Sequence, residues 1–176
     1  MAIAITLKEY LDNNNTHYDF IKHRATVTAL DSSRAAHIPA AKVSKAVVLE
    51  SEDGDYLMAS LPANSRLSLT EVQNITGKHY RLVSEEKLLD LFPDCSVGAI
   101  PAMGNPYNIK MLVDDSLLAA EDVYVESGDH KNLVKFEHHD YANLVAKMSH
   151  GNIRGSNLGA PRIWERTGRD WTDWSI

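Results

Sequence analysis

The stretch Lys45-Ala-Val-Val-Leu-Glu-Ser-Glu-Asp-Gly-Asp-Tyr-Leu-Met-Ala-Ser-Leu61 holds two apolar runs separated by a short polar one. Asp53-Gly54 is a strong signal for a tight hairpin, because glycine takes up positive φ without a Cβ penalty. Two antiparallel strands are therefore expected here, with Lys45 opening the first of them.

Upstream, Thr6-Leu-Lys-Glu9 has capping-box spacing before Tyr10 and Leu11 and predicts a short helix ending within Asn13-Asn-Asn15. Residues 17–23 alternate Tyr18, Phe20 and Lys22 against other side chains and predict a strand. Val27, Leu30, Ala35 and Ala36 give residues 26–37 a modest helical stripe, closed by Ile38-Pro39. Downstream, Ser68-Leu-Thr-Glu71 repeats the capping box, and Gly77 is placed to end that helix. Residues 79–83 predict a strand and 85–92 a helix stopped by Pro93. Strands follow over 109–113, 123–126 and 133–136, and a helix over 140–148. The order lacks strict alternation of strand and helix, so the expected class is α/β in the α+β sense, not a doubly wound parallel sheet.

A chain of 176 residues, 44% hydrophobic and 24% charged, suits one folded domain that buries a core unaided. Character changes after His150, so the expected division is a domain over 1–150 and a tail over 151–176. The tail holds Trp164, Trp171 and Trp174 among Arg162, Arg166 and Arg169; these rings either dock on the domain surface or stack on RNA or a partner. A net charge of −6 argues against nonspecific coating of nucleic acid but leaves local contacts open, with Lys42, Lys45, Lys78, Arg81 and Lys110 as candidates. No apolar run approaches the ~20 residues of a membrane span, and the N-terminus lacks a signal-peptide pattern. With a single cysteine, Cys95, the chain fits a reducing compartment, and a cytoplasmic location is expected.

Phosphate-cradling, dinucleotide-binding, H-E-x-x-H and C-x-x-C motifs are all absent, which turns the reading away from nucleotide hydrolysis, Rossmann redox and zinc chemistry. Adjacent His138 and His139 point to different sides of either a helix or a strand, so they do not converge on one ion. Cys95 has no identifiable activating base and reads as a small buried hydrophobe. Three features stand out. Lys45 begins an apolar strand, where a cation either snorkels outward or waits for an anion. Val97-Gly-Ala-Ile-Pro-Ala-Met-Gly-Asn-Pro106 is a stiff, shaped loop: either a plain connector or a cradle whose exposed amides hold a carbonyl and the oxyanion formed from it. Glu126-Ser-Gly-Asp-His130 is a polar turn between two strands, which as a bare hairpin needs no functional explanation.

Taken in order, these segments resemble the YbaK/EbsC family, stand-alone relatives of the editing insertion of bacterial prolyl-tRNA synthetases. Ile38-Pro-Ala-Ala-Lys-Val-Ser-Lys-Ala-Val-Val-Leu49 is similar to its lysine-led core strand, Val97 to Gly104 to its glycine-proline loop, 123–136 to its later strand-turn-strand, and His23-Arg-Ala-Thr26 to its H-x-x-T segment. The resemblance covers residues 5–148 and implies a single domain around a mixed, barrel-like sheet surrounded by helices. It implies a trans-editing deacylase that hydrolyses the ester of mischarged tRNA bearing a small amino acid, with no metal and no other cofactor. Lys45 would orient the terminal nucleotide, and Gly98, Ala99 and Ile100 would present backbone to the ester. His23, Thr26, Pro101, Ala102, Gly104, Ser127, Gly128 and His130 would bind substrate. The implied partners are the tRNA acceptor end and, as a further candidate, an aminoacyl-tRNA synthetase, with no membrane and a monomer or weak homodimer. The family often has G-x-x-x-P in the loop, whereas here Ala102 stands at the proline position and Pro101 one residue earlier. The alternative is a non-catalytic tRNA- or nucleotide-binding module of the same fold.

Overall fold

The computed structural model describes residues 3–155; the tryptophan-bearing part of the tail lies outside them. The elements run α1 (Ile5–Asn13), β1 (Asp19–Lys22), α2 (Ala29–Ala35), β2 (Val43–Ser51), β3 (Tyr56–Pro62), α3 (Leu69–Thr76), β4 (Tyr80–Leu82) and α4 (Glu85–Leu91). They continue with β5 (Lys110–Asp114), α5 (Asp115–Leu118), β6 (Asp122–Glu126), β7 (Asn132–Glu137), α6 (His138–Val145) and β8 (Ser149–Gly151). Eight strands form one mixed sheet in the order β1-β7-β6-β2-β3-β5-β8, with β4 on β2.

The Asp-Gly hairpin forms as its sequence dictates: β2 and β3 pair antiparallel from Ser44↔Pro62 to Glu50↔Tyr56, with Gly54 at φ +85° in the turn. Every residue of β2 is buried. Its far edge is shared, for β6 runs parallel to it at Val43 and Ser44 while β4 pairs antiparallel over Leu49–Ser51. Between those two contacts the sheet divides, and Lys45 stands where β6 departs.

Alternation along β2 serves two faces. Ala46 and Val48 enter the main core with Leu7 and Leu11 of α1, Phe92 and Tyr141. Val47 and Leu49 pack with Leu57, Leu61, Val72 of α3 and Ile153. Val43 lies on that second side too, against Ala29 of α2 and Leu133.

Local signals were met at most ends. Ser68 Oγ accepts the Glu71 amide, and Gly77 closes α3 in the left-handed region at φ 73°. The Thr6 capping box does not form. The helix begins at Ile5, so the Thr6 amide lies inside its first turn and donates to Asp94 Oδ2 at 2.8 Å. That carboxylate, 88 residues away, satisfies an amide that the helix itself leaves without a partner. Helix α2 starts later than expected, because Thr28 takes the capping position and Thr26 is engaged elsewhere.

Two elements have no expectation behind them, α5 and β8. Both hang on Asp114, a fully buried carboxylate. Its Oδ1 accepts the Ser116 amide at 3.0 Å and the Ser116 hydroxyl, its Oδ2 accepts the Ile153 amide at 3.0 Å, and Arg154 Nε lies 3.2 Å away. The chain is thus tied into the domain through residues 151–155, past the expected boundary at 150: Ile153 is buried, and the Gly155 amide donates to the Arg66 carbonyl. Among the described residues no helix is long and apolar enough to cross a membrane.

Candidate functional site

Lys45 is the third residue of β2 and only 2% exposed, so it does not snorkel to open solvent. The parallel register pairs Val43 with Tyr124 and Ser44 with Val125. Lys45 and Glu126 each follow the last β2–β6 pair in their own strand, and Glu126, the last residue of β6, is 1% exposed.

Glu126 Oε1 accepts the Ser32 hydroxyl at 2.5 Å, and Oε2 has no hydrogen-bond partner among the described residues. Burial pushes this carboxyl up to about 8; the Ser32 hydrogen bond opposes that only in part, and the charge of Asp129 adds to it. Ser32 Oγ lies 2.7 Å from Thr26 Oγ1, and the Thr26 amide donates to the His130 carbonyl at 3.1 Å. The His23 amide donates to the Lys131 carbonyl at 2.8 Å, so residues 23–26 run along the end of the 126–132 turn. The buried His23 ring faces the Arg24 carbonyl at 2.6 Å through Nδ1, which must therefore carry a proton. Its Nε2 has no partner among the described residues.

The turn is built around Asp129. Its carboxylate accepts the Ser127 hydroxyl at 2.8 Å, the Lys131 and Asn132 amides at 2.9 and 3.0 Å, and Asn132 Nδ2 at 2.7 Å. Partial burial works to raise this carboxyl, yet those donors together hold it below the usual carboxylate range. Gly128 and His130 both take positive φ, 111° and 63°, which turns the chain sharply and projects His130 toward the 96–104 loop. That loop is pinned by the Ser96 amide donating to the Gly128 carbonyl at 2.9 Å.

Gly98, at φ +85°, is where the parts meet: a Cβ there would lie 2.5 Å from the Val27 carbonyl oxygen and 3.0 Å from His130 Cε1. Gly104 is required for another reason, since its missing Cβ would lie 2.5 Å from the Ile109 carbonyl oxygen. Ala99, Ile100, Pro101 and Ala102 are all buried, and Ala102 sits in the main core. The Ala99 amide is consumed by the Ser96 carbonyl, whereas among the described residues the Gly98 and Ile100 amides have no acceptor.

The structure thus brings His23, Thr26, Gly98, Ser127, Gly128 and His130 to one place, with Lys45 at the neighbouring strand end. Glu126 and Ser32 also belong to this cluster and were not singled out from sequence. The other candidate cations scatter. Lys78 pairs with Asp55 at 2.7 Å, and Arg81 pairs with Glu50 near the far end of β2; only Lys42, just before β2, is close to Lys45 in the chain. His138 and His139 have separate partners, the Ala120 carbonyl and the Asn143 side chain. Burial pushes the Cys95 thiol up to about 12, so it is not a nucleophile near neutral pH.

The family model described as aminoacyl-tRNA editing domain matches residues 23–144. No curated protein sequence matches significantly. Among solved structures, the hypothetical protein APE2540 superposes with a TM-score of 0.76 at 18% identity, covering 85% of this chain and 99% of that one. A protein described as a proposed trans-editing enzyme for prolyl tRNA synthetase superposes with a TM-score of 0.74 at 19% identity, covering 87% and 97%.

Proposed function

This chain belongs to the aminoacyl-tRNA editing domain family, and from that premise we propose that it is a trans-editing deacylase for tRNA mischarged with a small amino acid. The observation that carries the reading is the convergence on Gly98. A backbone stripped of Cβ lies against the 23–27 segment and His130, and among the described residues the Gly98 and Ile100 amides in this loop have no acceptor.

An aminoacyl ester is already activated, so positioning and a few oriented donors supply much of the rate. In this reading the ester carbonyl lies at the Gly98–Ile100 backbone, where the Gly98 and Ile100 amides receive the developing oxyanion. Lys45 orients the terminal nucleotide through phosphate or ribose. Water is the nucleophile, positioned by a hydroxyl of the tRNA itself, which agrees with the absence of a reactive Cys95. Small side chains differ by only about 1–3 kcal/mol per methylene, so the lining around His130 sets which ester is cleaved. Ala102 is buried in the main core, and Pro101 beside it is buried as well. The partner is the tRNA acceptor end, with a synthetase as the source of the mischarged product in the cytoplasm.

The test is release of labelled amino acid from alanyl-, seryl-, threonyl- and cysteinyl-tRNA by wild type, Lys45→Ala and Lys45→Met, the last keeping the side-chain volume. The expected result is selective release by wild type that both variants lose by roughly 100-fold, the scale of a lost charge-assisted contact. No release from any substrate, with tRNA binding intact, establishes the non-catalytic binding module instead.

A further inference from the structure

Glu126 takes no part in the reaction set out above, yet a carboxyl with one unpartnered oxygen is costly to bury. Its position in a line of hydrogen bonds gives it a use. From its Oε1 the line passes to Ser32 Oγ at 2.5 Å, to Thr26 Oγ1 at 2.7 Å, and to the His130 carbonyl oxygen at 3.3 Å. Each hydroxyl has one proton to give, and the carbonyl at the end only accepts. The direction of the line is therefore set at its carboxyl end. When Glu126 carries a proton on Oε1, it donates to Ser32, Ser32 donates to Thr26, and Thr26 donates to the His130 carbonyl. When Glu126 is ionised it must accept. Ser32 then donates to it, Thr26 donates to Ser32, and the His130 carbonyl keeps only the Thr26 amide.

We propose that Glu126 is a proton-linked positioning residue: protonated, it locks the 127–130 turn onto the 23–26 segment through Ser32 and Thr26, and ionised, it releases that lock. The consequence falls on His130, whose ring lies against Gly98 and therefore borders the place assigned to the ester. The inference rests on the deacylase reading for its catalytic consequence and on geometry alone for the lock.

The charged and titratable groups around Glu126 come from every side. Its own turn supplies Asp129, whose charge opposes ionisation. Strand β2 supplies Lys45, which follows Ser44 of the last β2–β6 pair, and the 23–26 segment supplies His23. Helix α2 carries Asp31 and Arg34, which pair with each other at 3.8 Å on its exposed side. From β7 the register partner is Leu133, which carries no charge.

The full chain labelled with carboxyl-13C glutamate and backbone 15N is titrated by NMR from about pH 6 to about pH 9.5, spanning the range well above an ordinary glutamate. Wild type is compared with Glu126→Gln, which is nearly isosteric and neutral, and with Ser32→Ala. The expected result is one high-titrating carboxyl in wild type, absent in Glu126→Gln, with the Thr26 and His130 amide signals moving at the same midpoint. In Ser32→Ala that carboxyl still titrates, but the His130 amide no longer follows it. A His130 amide that tracks Glu126 equally in Ser32→Ala, or no glutamate titrating above the ordinary range, overturns the proposal. Deacylation kinetics supply the second readout. Across the midpoint KM rises roughly three- to tenfold in wild type, as for one lost hydrogen bond, with kcat changing less and Glu126→Gln showing no such step. A flat wild-type KM in an active enzyme overturns the positioning role. A wild type with no deacylase activity but an intact NMR linkage overturns the deacylase reading and leaves the lock standing.

Discussion

Gly98 and Gly54 offer a paired test of the loop, because both lie at φ +85° and they differ only in what surrounds them. A Cβ at Gly54 meets nothing within 4 Å, while one at Gly98 meets the Val27 carbonyl oxygen at 2.5 Å and His130 Cε1 at 3.0 Å. Placing an L-residue in the left-handed region costs about 1–2 kcal/mol, and roughly 0.4–1 kcal/mol returns through the stiffer unfolded chain. Gly54→Ala should therefore lose about 1 kcal/mol by these same terms. Gly98→Ala carries that cost and must also push a backbone carbonyl back by about 0.8 Å to reach an ordinary carbon–oxygen contact of ~3.3 Å. Overpacking of this kind adds about 1–3 kcal/mol, for a total near 2–4 kcal/mol. At about 2–4 °C per kcal/mol for a chain of this size, the expected falls in Tm are about 2–4 °C for Gly54→Ala and about 4–16 °C for Gly98→Ala. Calorimetry reads both, and deacylation assayed well below either Tm should be impaired only in Gly98→Ala. Equal melting temperatures for the two variants would refute the close approach of Gly98 to Val27, and with it the assembly of the site.

Two further outcomes are expected. Glu126 keeps its proton in the folded state up to about 8, against 4.5 for the free group, so the stability it confers is full below about pH 4.5 and is lost as pH rises through 8. That change amounts to at most about 5 kcal/mol by linkage; urea midpoints measured from about pH 5 to about pH 8.5 should fall more steeply in wild type than in Glu126→Gln, and parallel slopes would count against the buried carboxyl. Asp114→Ala strips partners from the Ile153 amide and from Ser116 and Arg154 at a buried site, a loss of about 3–5 kcal/mol. Hydrogen exchange should show protection lost at Ile153 and β8 while the β2–β3 hairpin keeps its own; unchanged protection at Ile153 would contradict the tie.

What was legible in the sequence is what short-range chemistry controls. Asp53-Gly54 dictates a hairpin within a few residues, and Ser68 with Gly77 marks both ends of α3 for the same reason. Thr6 misleads because its amide is satisfied by Asp94, a partner no local pattern can display. Helix α5 and strand β8 were invisible, being too short for periodicity and held by Asp114 at long range. The three site segments could be picked out one by one, but their meeting at Gly98 could not, since that contact depends on how β6 and β7 return the 126–130 turn to the 23–27 segment. Glu126 looked like one more polar residue of a turn, and no local pattern pointed to Ser32.

The reason those two were hidden also explains why the site lies where it does. β6 leaves β2 after Ser44, and the β4 side of that edge resumes only at Val48, whose carbonyl accepts the Val83 amide. A strand edge without a neighbour, inside a protein, must complete its polar contacts through side chains or a ligand. Lys45 and Glu126 stand at the first step beyond the last β2–β6 pair, on the face covered by α2, where Ser32 and Thr26 supply the hydroxyls. Filling that gap with apolar residues would give a cheaper core. Keeping a lysine and a carboxyl there costs stability that packing elsewhere in the sheet must offset. In this fold the β2–β6 pairing ends where Lys45 and Glu126 begin, and the 126–130 turn that follows Glu126 carries His130 to Gly98.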